Sequence, residues 1–164
     1  MDINITQYHP LLDEIRFGFL NPYKVAGMAE PWFEKLDRTL ELLKALGIGS
    51  ILTLTEDDLY GKHYAAAGFL HHHEPINDCE APSKKGMDRA ISFINSSLKK
   101  GHGVAVHCLE GRGRTGTVLC AWLALKEFHN AEDAIKRIYE LREYTVITDA
   151  QRDFLKRYIK SNSG

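Results

Sequence analysis

Stretches with apolar residues three and four positions apart alternate along this chain with short, unbroken apolar runs. The first pattern is that of a helix burying one face, the second that of a strand buried on both. Trp32, Leu36, Leu40, Leu43 and Leu46 keep helical spacing over residues 31–46, with Pro31 at the start and Gly47 as a stop. Residues 48–55 read as a buried strand and 69–73 as a weaker one. Met87, Ile91, Ile94 and Leu98 predict an inward-facing helix over 83–100, with Ser83 as its N-cap and Gly101 ending it. The run Gly103-Val104-Ala105-Val106 is a further buried strand. A helix carrying Val118, Leu119, Ala121, Trp122, Leu123 and Leu125 opens near Gly113. Two more helices are predicted over 131–143 and 149–160. Strands alternating with helices imply an α/β fold, a central and mostly parallel twisted sheet flanked by helices, in a single domain over residues 1–164. In such sheets ligands sit beyond the carboxyl ends of the strands.

His107-Cys108-Leu109-Glu110-Gly111-Arg112-Gly113-Arg114-Thr115 lies at such an end, between a strand and a helix. A loop that wraps onto a helix N-terminus turns several backbone N–H groups and the positive end of the helix dipole toward one small volume, which is an anion site. A thiol held there gives up its proton readily. Gly111 and Gly113 let the amides turn inward, and Arg114 offers a planar fork matched to two phosphate oxygens. A buried, inert cysteine would account for neither the glycines nor the arginine. Cys108 is therefore read as a nucleophile in a phosphate cradle built from Leu109, Glu110, Gly111, Arg112, Gly113 and Arg114. Thr115 can donate to the thiolate, or it is an ordinary threonine in the first turn of a helix. Arg112 is placed at the mouth, adding positive charge, with Glu110 near enough in sequence to offset it. His107 is expected to hold the loop by hydrogen bonds.

Attack on a phosphate ester also needs a proton for the leaving oxygen. Asp78, in the polar stretch Ile76-Asn77-Asp78-Cys79-Glu80-Ala81-Pro82, is a candidate, and the residues alone leave Asp57, Asp58 and Glu80 open beside it. A metal site is not expected. Cys79, Cys108 and Cys120 have no CxxC pairing, and in His71-His72-His73 alternate side chains on a strand point to opposite faces, so His71 and His73 at most share one. The three histidines are read as structural, and no cofactor is implied. Cys79 and Cys120 are either unreactive thiols or partners for an oxidised Cys108, Cys79 being the better placed of the two.

His-Cys-x5-Arg-Thr-Gly resembles the signature of the cysteine-dependent protein tyrosine phosphatase superfamily, and the chain looks like its small atypical dual-specificity phosphatases along nearly its whole length. Val25-Ala26-Gly27-Met28-Ala29 is similar to the segment before the first long helix of that group, and Ser50-Ile51-Leu52-Thr53-Leu54-Thr55-Glu56 to its strand ending in Leu-Thr-Glu. Pro75-Ile76-Asn77-Asp78 falls where the family places its general-acid aspartate, which the resemblance assigns to Asp78. Thr148-Asp149-Ala150-Gln151 resembles the late loop bearing a water-positioning glutamine, so Gln151 takes that role by resemblance, a glutamine on a helix surface being the other reading. The family implies hydrolysis of phosphotyrosine, with phosphoserine or phosphothreonine, through a cysteinyl phosphate. The position of Glu110 is usually small or neutral and that of Arg112 often apolar in this group. Some of the superfamily's phosphoinositide phosphatases carry a basic residue at the latter.

Composition narrows the partners more than the reaction. With 44% hydrophobic and 26% charged residues the chain can build an ordinary core. A net charge of −1 gives no reason to expect nucleic acid or an anionic membrane surface as a partner, and no apolar run approaches the roughly 20 residues of a membrane span. The Met1-Asp2-Ile3-Asn4 start lacks the basic and apolar regions of a signal peptide, and three cysteines, one needed as a thiolate, suit a reducing compartment, so a cytoplasmic location is expected. Oligomeric state is left open. The leading expectation is a metal-free phosphatase acting on phosphorylated protein or a small phosphoester. The same chemistry on a phosphoinositide, a nucleotide or an RNA 5′-phosphate is the alternative, supported by Arg112. A non-catalytic phosphopeptide-binding module would ordinarily lack the cysteine or the acid. A sulfurtransferase lacks this arginine spacing, and a low-molecular-weight phosphatase or arsenate reductase carries its loop near the N-terminus.

Overall fold

β5 (Gly103–His107) runs through the middle of a five-stranded sheet, flanked by β2 (Val25–Met28) on one side and β3 (Ile48–Thr53) on the other. β4 (Leu70–His73) extends the sheet beyond β3, and β1 (Gly18–Phe19) closes the other edge beyond β2. β2, β5, β3 and β4 are mutually parallel, and only β1 pairs antiparallel. The computed structural model describes residues 9–163, and the Met1–Asn4 start considered above lies outside them.

All five residues of β5 are buried, because helices cover both faces of the sheet. Val104 and Val106 face a cluster with α4 (Lys84–Lys99), α5 (Gly113–Leu123), α6 (Ala131–Leu141) and α7 (Asp149–Asn162). Ala105 faces the opposite cluster, built with Leu36, Leu40 and Leu43 of α2 (Leu36–Ala45) and Tyr64 of α3 (Gly61–Ala66). A short α1 (His9–Glu14) precedes β1. The helix starts are chemically specified. Ser83 accepts the Gly86 amide, Asn130 the Asp133 amide, and Thr148 and Gln151 form a reciprocal capping box.

The expected mostly parallel α/β sheet is observed, with three local corrections. The helix expected over 31–46 begins only at Leu36, after a short 3₁₀ turn over Phe33–Lys35, so Trp32 stands outside it and is exposed rather than packed. The helix from Gly113 gives way after Leu123 to a π-helical segment over Ala124–Phe128. α1, β1 and α3 had no signature, since none is longer than six residues and periodicity needs more. Among the described residues no helix is long and apolar enough to cross a membrane.

Candidate active site

The carboxyl ends of β2, β3, β4 and β5 open on one face because these strands are parallel. The loop after β5 carries Cys108, buried at the floor of a cleft of about 310 Å³. Leu109, Glu110, Arg112, Gly113 and Arg114 line that cleft, together with Asp78 and Cys79 from the loop after β4 and Val146, Thr148 and Gln151 from the approach to α7. A larger groove of about 510 Å³ between α4 and α7, bordered by Asp88, Asn95, Lys99 and Tyr158, holds neither a cysteine nor an arginine.

The loop's path is dictated by contact with the end of β2. Gly111 has φ of +71°, and a Cβ there would meet the Met28 carbonyl carbon and oxygen at 2.5 Å and the Ala29 nitrogen at 2.6 Å. No side chain fits that approach, and an L-residue is strained in that conformation. From behind the loop, the buried Arg142 donates through Nη2 to the Gly111 carbonyl at 2.9 Å and through Nη1 to the Gly27 carbonyl at 2.8 Å. A carbonyl drawn backward leaves the loop's amides free to face the cleft. Burial pulls the Arg142 pKa down to about 10, so the group is still a cation at neutral pH. Sequence reading missed Arg142, which looks like any arginine at the end of an amphipathic helix.

The Thr115 hydroxyl donates to Cys108 Sγ at 3.1 Å. Arg114, 4% exposed, donates through Nη1 to Glu56 Oε2 at 2.8 Å and to the Ile76 carbonyl at 2.9 Å. Its Nε is buried without a hydrogen-bond partner among the described residues. A guanidinium in the wall of a cleft, oriented through Nη1, with Nη2 3.5 Å from Asp78 Oδ1 and Nε unpaired, keeps hydrogen-bonding capacity that an incoming oxyanion can take up.

Asp78, Asp57, Asp58 and Glu80 are separated by the structure. Asp78 lines the cleft, with Oδ1 3.5 Å from Arg114 Nη2 and its own backbone N–H bound to Glu56 Oε1 at 2.8 Å. Asp58 faces His71 at 3.6 Å, Glu80 accepts from the Asn77 amide, and exposed Asp57, whose carbonyl accepts from the Thr55 hydroxyl, is not among the residues lining the cleft. Glu56 is the second residue that sequence reading left without a role, though it closes the segment quoted for its Leu-Thr-Glu ending; β3 itself stops at Thr53. The Glu56 carboxylate joins Arg114 of the loop after β5 to the loop after β4 that carries Asp78. Hydrogen bonds from its own backbone, Arg114 and Asp78 hold its pKa down at about 2.

His107 is fully buried, and its Nδ1 donates to the Cys108 carbonyl at 3.1 Å. That fixes Nε2 as the acceptor, with the Thr53 hydroxyl at 2.9 Å and the Tyr64 hydroxyl at 3.2 Å as donors. Desolvation lowers its pKa to about 4. His71 Nε2 donates in turn to Thr53 Oγ1, His72 pairs with Glu74, and His73 reaches the Thr55 carbonyl. Each imidazole of the tract thus has a partner in the protein. Gln151 is fully buried and not on the helix surface. Its Oε1 accepts the Thr148 amide at 3.0 Å and its Nε2 donates to the Glu80 carbonyl at 3.1 Å, while it still lines the cleft. Arg112 is tied by Nε to the Tyr144 carbonyl at 2.9 Å instead of to Glu110, whose own carbonyl accepts from Arg16. Of the other two cysteines, Cys79 lies in the cleft wall with Cys108, and Cys120 is buried in α5.

A family model described as polymorphic toxin system, DSP-PTPase phosphatase, matches residues 26–128. An uncharacterized protein of Methanocaldococcus jannaschii is 36% identical over 86 residues, which is 52% of this chain and 57% of that protein. The phosphatidylglycerophosphate phosphatase PTPMT2 of Arabidopsis thaliana is 26% identical over 147 residues, 80% of this chain and 64% of that one. The chain spans little more than half the length of the first curated relatives it matches. Among solved structures, Tk-PTP in its active form superposes with a TM-score of 0.78 at 26% identity, covering 88% of this chain and 97% of its own.

Proposed function

The chain belongs to the DSP-PTPase phosphatase family, and on that premise we propose that it hydrolyses phosphomonoesters on protein through a cysteinyl phosphate. The observation that carries the reading is the Thr115 hydroxyl donating to Cys108 Sγ inside a loop whose arginine keeps a buried, unpaired Nε.

In the first step the Cys108 thiolate attacks phosphorus, the S–P bond forms, and the bond to the leaving oxygen breaks. Asp78 gives that oxygen its proton. Arg114 and the amides of residues 109–114 take up the charge on the three equatorial oxygens, an electrostatic contribution that is large in a cleft shielded from water. In the second step water attacks phosphorus, Asp78 takes back a proton, the S–P bond breaks, and inorganic phosphate leaves. Thr115 eases that departure by donating to the sulfur as it regains charge. Gln151, held on one side by Glu80 and on the other by Thr148, is placed to orient the water. His107 positions the Cys108 carbonyl from behind. Nothing in these steps calls on a metal, and we place the protein in the cytoplasm, a reducing compartment in which a reactive thiolate persists.

A second reading, hydrolysis of a phospholipid headgroup ester, is favoured by the Arabidopsis thaliana relative that is a phosphatidylglycerophosphate phosphatase. The experiment is a turnover panel with chelator present: phosphotyrosyl, phosphothreonyl and phosphoseryl peptides, a phosphoinositide, phosphatidylglycerophosphate and a nucleoside triphosphate. Peptide turnover inhibited by orthovanadate is expected, and Cys108→Ser should abolish it, an alcohol being a poor nucleophile near neutral pH. Retention of about a tenth of the wild-type rate by Cys108→Ser rejects the covalent mechanism. Lipid turnover well above that of every peptide selects the second reading.

A further inference from the structure

The loops after β4 and β5, with the approach to α7, line the cleft, and the loops after β2 and β3 carry beside it a patch that neither the core nor the chemistry uses. Trp32 and Phe33, after β2, are 64% and 65% exposed, and Leu59, after β3, is 60% exposed. Phe33 stacks on Tyr60 with centroids 6.5 Å apart and meets the His63 ring edge-on at 6.3 Å, so these three rings form one surface, with Trp32 and Leu59 next to it in the chain. Contiguous exposed apolar area of this kind marks an interaction site more often than an accident of folding.

Glu30 joins the patch to the cleft. Its backbone N–H donates to the carbonyl of Leu109, the residue after Cys108, and its half-buried carboxylate lies in the field of Arg114. Exposed Glu34, Asp57 and Asp58 border the same surface. Lys35 and Lys62 lie on the same stretches of chain, Lys35 paired with Glu14, and Arg38 follows Glu34 by one helical turn. The cleft thus carries Arg112 and Arg114 beside Asp78 and Glu110, whereas the neighbouring surface carries Glu34, Asp57 and Asp58 with the aromatic rings.

We propose that this patch docks the polypeptide flank of the substrate, a segment carrying arginine or lysine with aliphatic or aromatic residues beside the phosphorylated one. The proposal rests on the phosphoprotein reading above. A phosphate dianion with cations next to it is the charge pattern complementary to this face. Arginine and lysine gain from the ring faces of Trp32 and Phe33 and from Glu34 and Asp57 together. An anionic bilayer meets the carboxylates first and is repelled.

The test compares two phosphotyrosyl peptides of equal length on the full chain, one flanked by arginine and leucine, the other by glutamate and leucine. The basic peptide should show a kcat/KM at least tenfold higher. Trp32→Ala with Phe33→Ala, and separately Glu34→Gln with Asp57→Asn, should each remove most of that preference through KM while leaving para-nitrophenyl phosphate turnover unchanged, which also reports that the variants fold. Equal rates on the two peptides, or an undiminished preference in the Glu34→Gln, Asp57→Asn protein, overturns the docking proposal and leaves the phosphoprotein reading standing. Turnover of vesicles bearing phosphatidylglycerophosphate with no turnover of either peptide overturns both.

Discussion

Glu56 accepts from Arg114 Nη1 at 2.8 Å with one carboxylate oxygen and from the Asp78 backbone amide at 2.8 Å with the other. One side chain on the loop after β3 thus sets the distance between the arginine proposed to bind phosphate and a candidate acid whose loops leave different strands. Replacement by glutamine keeps an acceptor for Arg114 but presents a donor to the Asp78 amide, so one of the two links is lost. Peptide kcat/KM should fall by roughly tenfold in Glu56→Gln, about 1.4 kcal/mol, and further in Glu56→Ala. Steady-state kinetics decides it, and unchanged values in both variants mean that the Ile76 carbonyl alone orients Arg114.

Arg142 offers a prediction about stability and binding together. In Arg142→Met the carbonyls of Gly27 and Gly111 lose their donor in the interior, and each such loss costs about 1–3 kcal/mol. A loss of about 3 kcal/mol lowers Tm by roughly 6–12 °C in a domain of this size. Orthovanadate affinity should drop as well, because the loop carbonyl is no longer drawn away from the cleft. Gly111→Ala should damage vanadate binding by the other route, the Cβ pressing on Met28 and Ala29. Calorimetry and a vanadate titration measure both effects. Wild-type affinity in Gly111→Ala would show that the loop's path is not set by this contact.

Asp78→Asn should slow tyrosyl and alkyl phosphates far more than an aryl ester with a good leaving group. Only the poorer leaving groups need a proton as the bond breaks. General-acid help is worth roughly 10²–10⁴-fold, so the loss on peptides should be plain. If peptide turnover survives intact, Glu80 is the next residue to replace, since its loop also meets Gln151 at the cleft.

The buried His107 makes stability depend on pH in a defined window. The unfolded chain binds its proton near pH 6.5, whereas the folded chain resists it until about pH 4. Between those values the unfolded state holds more protons, so stability is complete above 6.5 and declines as the pH falls toward 4. By pH 5 the decline should reach about 2 kcal/mol. His71, whose pKa burial also lowers, adds in the same direction. Urea unfolding at pH 7, 6 and 5 reads the slope, which should flatten in His107→Gln. A wild-type stability that is flat over this range contradicts the assignment of a buried neutral imidazole.

Much of the fold, and the loop that lines the cleft after β5, could be read directly from residue order. A strand buried on both faces must be apolar throughout, as Val104-Ala105-Val106 is, and a helix packed on one face must repeat every three to four residues, as Leu36, Leu40 and Leu43 do. The loop is legible for the same reason: Cys108, Gly111, Arg114 and Thr115 are neighbours in the chain, so backbone geometry alone brings them together. What the order of residues left open depends on separations it does not encode. Glu56 meets Arg114 across 58 positions because a parallel sheet gathers the ends of distant strands, and Arg142 meets Gly111 across 31 because the end of α6 packs behind the loop. Gln151 is buried because the loop after β4 lies over it, although its place in the helical repeat is equally that of a surface residue. Trp32 is exposed because the chain enters α2 one turn later than its apolar spacing suggests. Local chemistry is written in local sequence, whereas which carboxylate holds which arginine is decided by packing, where the competing partners differ only in where the fold places them.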